Sequence, residues 1–111
     1  MSPFVLPASF TLFGRTIIVE TDPALSYKDD CVGCTRYRRN RIALQPPTEG
    51  VLIVQANMEE TFFHELTHWI LHMIQETTLD ENETFVDLFA QCLHQALTTM
   101  TFLDPASLEE H

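Results

Sequence analysis

The sequence predicts an α+β fold: a small, largely antiparallel sheet packed against two helices. Three observations carry this expectation. The first half of the 111-residue chain holds short runs of β-branched and aromatic residues, punctuated by glycine, asparagine and proline. The second half repeats apolar residues at helical spacing. The length suits a single domain spanning residues 1–111, which at this size buries roughly two-thirds of its unfolded surface around one core.

The strands come first. Residues 10–13, Gly14 and residues 15–20 form a hairpin pattern closed by Asp22-Pro23. Residues 24–32 are mixed and read as loop or a short helical turn. Residues 34–38, a turn at Arg39-Asn40, and residues 41–45 make a second hairpin, which Pro46-Pro47 ends. A short strand over 51–54 is a further possibility. The first helix starts at Asn57 as N-cap, with Glu60 at N3 and acids suited to the positive helix start. At 100° per residue, Phe62, Phe63, Leu66, Trp69, Ile70, Met73 and Ile74 share a core-facing arc. A polar break at 76–80 separates it from a second helix running from Glu81 or Asn82 to about Met100. The core arc of that helix is Phe85, Val86, Phe89, Cys92, Leu93, Ala96, Leu97 and Met100. Residues beyond about 104 are expected to fray.

Composition narrows the function classes. Six basic residues against sixteen acidic ones give a net charge of −10, which argues against nucleic-acid binding. Four of the six bases, Arg36, Arg38, Arg39 and Arg41, lie in one hairpin, either as a solvated face or as a docking patch for an acidic partner. No stretch approaches the ~18 apolar residues of a membrane span. Met1-Ser2-Pro3-Phe4-Val5-Leu6-Pro7 lacks a basic start and a long apolar run, so a cytoplasmic address is expected. Three cysteines are an odd count and argue against a disulfide framework. Cys31-Val32-Gly33-Cys34 is half of a structural zinc site without its complement and reads as loop cysteines with no fixed role, a labile disulfide or an intermolecular metal clip being the alternatives; Cys92 reads as a small buried hydrophobe.

The segment that carries chemistry is His64-Glu65-Leu66-Thr67-His68. A spacing of four places both imidazoles on one helical face, one turn apart, close enough to share an ion. Zn2+ is the expected cofactor, one per chain, because it takes nitrogen ligands at about 2.0–2.1 Å in tetrahedral sites. Glu65 beside them is positioned to take a proton from a water activated by that metal. A third ligand is required. His72 lies one turn further on, but a straight helix does not easily aim three consecutive turns at one ion. Glu83 and Asp87 form an acidic pair at i, i+4, suited to a carboxylate ligand followed by a carboxylate that fixes a metal-bound imidazole. A solvated acidic face is the alternative.

His64-Glu65-Leu66-Thr67-His68 followed by Asn82-Glu83-Thr84-Phe85-Val86-Asp87 resembles the gluzincin arrangement of zinc metallopeptidases. The short chain, with strands before the motif helix, is similar to minimal zincins and to small phage-type proteins of the ImmA/IrrE kind. The resemblance covers residues 57–100 and implies a zincin-like fold, with Glu83 as third zinc ligand and Asp87 orienting a ligand histidine. Two features depart from the pattern: a short interval from His68 to Glu83, and no second lobe to bind substrate. The extended metzincin motif is absent, since Leu71 and Ile74 stand where it needs glycine and histidine. A deformylase-like site would instead recruit Cys34.

The activity expected from these residues is zinc-dependent hydrolysis of a peptide or protein substrate. In this scheme Glu65 is the general base, and Tyr37 and His72 are candidates for the oxyanion or the cleft wall. The alternatives are a zinc-binding regulatory protein on the same scaffold without turnover, and a metal hydrolase acting on another bond.

Overall fold

The computed structural model describes residues 4–110; the readings made on Met1–Pro3 and on His111 lie outside the described residues. The fold is α+β. Strand β1 (Ser9–Leu12) turns at Phe13-Gly14 into β2 (Arg15–Thr21), and both turn residues have positive φ, 49° and 80°. Two left-handed residues in a two-residue loop match the twist of a hairpin, which is why glycine stands at the second position. A four-residue helix, α1 (Leu25–Lys28), occupies the mixed stretch. Strand β3 (Gly33–Arg36) follows, then a 3-10 turn at Tyr37–Arg39 ended by left-handed Asn40, then β4 (Arg41–Leu44).

The sheet order is β1-β2-β4-β3. Both hairpins are antiparallel, but β2 and β4 run parallel, with Val19 opposite Ile42. The sheet is therefore mixed, a correction to the largely antiparallel expectation. The reason is the path of the chain: after β2 it crosses through α1 to the far edge, makes β3 there, and returns as β4 between the two. Residues 51–54 do not form a strand; a lone bridge joins Thr48 to Val51.

Helix α2 (Gln55–Met73) begins two residues before the expected cap, with Val54 as N-cap and no side-chain hydrogen bond. Asn57 thus lies inside the first turn, where its carbonyl accepts from Thr61 Oγ1 at 2.8 Å. The polar break contains a short helix, α3 (Thr77–Asp80). Helix α4 (Glu83–Thr99) starts where expected: the Asn82 side chain accepts from the Phe85 amide at 3.1 Å, satisfying one free N–H of the first turn. Pro105–Glu110 wind as a 3-10 helix.

The core lies between one face of the sheet and the α2–α4 pair: Ile17, Ile42, Leu44, Phe62, Phe63, Trp69 and Ala90. Where α2 meets α4, the His94 imidazole sits 2.8 Å from the nearly buried Glu59 carboxylate. The expected core arc of α4 is only half covered. Val86 and Ala90 are buried, whereas Phe89, Cys92, Ala96, Leu97 and Met100 are exposed. Cys92 is therefore a surface thiol, and Ile74 of the α2 arc is exposed as well. Helical periodicity reports which residues are apolar; it does not report what is available to cover them.

The arginine run is partly spent within the fold. Arg36 pairs with Glu20, Asp22 and Asp29, and Arg41 pairs with Glu20, while Arg38 and Arg39 are exposed. No helix among the described residues is long and apolar enough to cross a membrane.

Candidate metal centre

The two histidines of α2 point toward the start of α4. His64 Nε2 lies 3.2 Å from one Glu83 oxygen and His68 Nε2 lies 3.1 Å from the other. One donor atom from each of the three residues falls within 4.8 Å of the others, so the set could hold one metal ion. The i, i+4 spacing brings the rings together at 4.9 Å between centroids, and the Asn82 cap sets Glu83 at the first position of its helix.

The outer nitrogens are held as well. His64 Nδ1 is 2.7 Å from Asp87 Oδ1, and His68 Nδ1 is 2.6 Å from Asp80 Oδ1. A neutral imidazole has one N–H and one lone pair. Donation from Nδ1 to an aspartate leaves the lone pair of each ring on Nε2, facing the Glu83 carboxylate. Two lone pairs and a carboxylate converging on one point form the donor set of a divalent cation. The residues present thus fit such an ion.

Glu65 sits beside this cluster but is anchored differently. It is 8% exposed, and its Oε1 accepts from Thr35 Oγ1 of β3 at 2.5 Å. The same strand approaches closely at Gly33, where an added Cβ would collide with Thr61 Cγ2 and crowd Glu65 Oε2 at 3.3 Å. Gly33→Ala is therefore expected to lower stability by about 1–3 kcal/mol in urea unfolding, with Thr61→Ser restoring part of the loss by removing the clashing methyl. An unchanged midpoint would mean that β3 is free to shift. Cys31, Gly33, Thr61, His64, Glu65 and Asp87 line a cavity of about 520 Å3. Cys31 faces it as a thiol: burial, then the neighbouring Cys34, push its ionisation up, so it stays protonated and weakly nucleophilic.

Tyr37 and His72, expected at the oxyanion or cleft, form a stacked pair with ring centroids 3.9 Å apart. The Tyr37 hydroxyl lies 3.4 Å from the His68 carbonyl and 3.5 Å from Asp80 Oδ2. Burial, then the Asp80 carboxylate, push this phenol well above its ordinary value and keep it a neutral donor. Tyr37 thereby supports the aspartate that supports His68. His72 is exposed and borders a second cavity with Asp80, Leu71, Gln75 and Thr77. Cys34 Sγ turns to the Thr35 carbonyl at 3.8 Å, and the carboxylate that meets the two imidazoles is that of Glu83.

Sequence reasoning missed Asp80, Thr35 and Gly33. Asp80 was part of the polar break, and only the turn of α3 against α2 brings it to His68. The available signal was weak: a carboxylate in the first short segment after the motif helix. Comparison with known proteins finds no matching family model, no matching curated protein and no matching solved structure.

Proposed function

We propose that this chain is a zinc-dependent peptidase with a minimal zincin-like arrangement. One observation carries the reading: the Nε2 atoms of His64 and His68 meet the Glu83 carboxylate, their Nδ1 atoms rest on Asp87 and Asp80, and Glu65 lines one cavity with His64 and Asp87. His64, His68 and Glu83 would hold Zn2+. Bound there, it supplies a Lewis acid that polarises a carbonyl and makes water more acidic.

The remaining steps belong to the chain. Glu65, with Oε1 occupied by Thr35, uses Oε2 to accept a proton from the attacking water and then delivers it to the leaving amine. Asp80 and Asp87 keep both rings in the tautomer that presents Nε2. Strand β3 stands at the edge of the sheet beside Glu65, and an extended peptide can align there by main-chain pairing. The cavity alongside accepts a side chain next to the scissile bond.

The test is cleavage of an unfolded protein by the purified, zinc-loaded chain. New fragments that disappear with a chelator and return with added zinc are expected. A zinc-replete protein that leaves every unfolded substrate intact would contradict turnover. The burial of Glu65 favours a second reading, a zinc-stabilised binding protein without hydrolysis, with Arg38 and Arg39 as contacts for an acidic partner. Tight zinc-dependent binding that Glu65→Gln leaves unchanged would select it.

A further inference from the structure

The exposed half of α4 has a pattern that the metal centre does not use. Leu88 is 58% exposed, and Phe89 and Met100 are each 46% exposed. The Phe85 and Phe89 rings stack at 5.7 Å, forming an aromatic shelf on the helix surface. Residues 88–103, sixteen in a row, contain no Asp, Glu, Lys or Arg, in a chain whose net charge is −10. We infer that α4 pairs with α4 of a second copy of this chain, antiparallel across a two-fold axis, through Phe85, Leu88, Phe89, Cys92, Ala96 and Met100.

Three arguments commit the surface to a second copy. The first is charge. Two strongly acidic molecules repel wherever acids face acids, and this uncharged stretch is where they can meet without that cost. An anionic lipid surface would call for basic residues here, and there are none. The second is size order. On this face Phe85 and Phe89 lie toward the start of the helix and the small Ala96 and Thr99 toward its end, with Met100 at the C-cap, opposite Phe85 in the same register. Turning a second helix end for end about an axis near Cys92 sets Phe89 over Ala96 in both directions, the self-complementary pairing that a two-fold interface demands. It also opposes the two helix dipoles.

The third argument is area. A 17-residue helix is roughly 25 Å long. Leu88, Phe89 and Met100 on this face, with Phe102 at 86% and Leu103 at 74% exposure in the segment just past the helix end, present on the order of 700 Å2 of apolar surface, close to the ~800 Å2 per partner of a stable interface. The protomer is also extended for its length, with a radius of gyration of 15.9 Å against about 13 Å for a compact chain of this size. Glu83 and Asp87 reach from the other side of α4 to His64 and His68, so the pairing leaves the metal centre open.

Analytical ultracentrifugation of the zinc-loaded full chain tests this. The parent is expected to sediment at twice its 12.8 kDa mass at micromolar concentration. Ala96→Glu and Phe89→Glu, both at exposed positions and checked by circular dichroism, are expected to raise the dissociation constant by about a hundredfold. Leu52→Glu, at a 91%-exposed site away from α4, leaves the dimer intact. The direction of pairing is read from a swap: Phe89→Ala and Ala96→Phe each weaken the dimer, and the double variant recovers it at least about tenfold. A parent that stays monomeric to about 100 μM, including one that binds neutral lipid vesicles instead, overturns the inference. So does a dimer indifferent to both glutamate variants, and a swap without recovery overturns the antiparallel register.

Discussion

Glu65→Gln is expected to leave zinc bound and to slow peptide hydrolysis by about 10²- to 10⁴-fold. The substitution is nearly isosteric, so its carboxamide oxygen can still accept from Thr35 Oγ1, and the packing against Gly33 is kept. What is lost is the ability to accept a proton. Glu65 does not belong to the three-residue set His64, His68 and Glu83, so metal content separates loss of the base from loss of the site. Two measurements on one sample decide the matter: zinc content by elemental analysis, and initial rates on an unfolded substrate. A variant that binds zinc and keeps parental rates would remove Glu65 from the base role.

Asp80→Asn is expected to weaken zinc binding by about 10- to 100-fold, and Asp87→Asn by a similar factor. Each aspartate faces one Nδ1, at 2.6 Å for His68 and 2.7 Å for His64. A carboxylate can only accept from that nitrogen, which keeps the lone pair on Nε2. An asparagine can present its NH2 group instead, and this favours the tautomer with the proton where the metal should be. With its NH2 toward His68, an asparagine at position 80 keeps its oxygen toward the Tyr37 hydroxyl, so the two substitutions should have similar effects. Competition against a chromophoric chelator measures both. Affinities unchanged in both variants would show that the imidazoles need no such support.

The convergence of His64, His68 and Glu83 is readable in the sequence because its parts are local. His64 and His68 at four-residue spacing, and Glu83 and Asp87 at the same spacing on the next helix, need only helical geometry to align within each pair. The hairpins were readable for the same reason, from β-branched runs around tight turns. What sequence could not supply is how local pieces dock. Two hairpins suggested an antiparallel sheet, yet the pairing between them, β2 with β4, is parallel, because the chain visits the far edge before returning. Asp80 reaches His68 only through the fold of α3 onto α2, and Gly33 and Thr35 reach Glu65 only through the position of β3. The α4 stripe shows the complementary failure. Its apolar period places Phe89, Cys92 and Ala96 on a core arc, yet all three are exposed, because the described residues do not extend far enough to cover them.

Zinc stoichiometry of the purified chain, measured beside Glu83→Ala under a mild chelator challenge, tests the proposed three-residue metal centre most directly. One zinc per chain, retained by the parent and lost from the variant, is the predicted result. A parent that holds no zinc after careful loading would contradict the metal centre, and equal retention by both proteins would remove Glu83 from it.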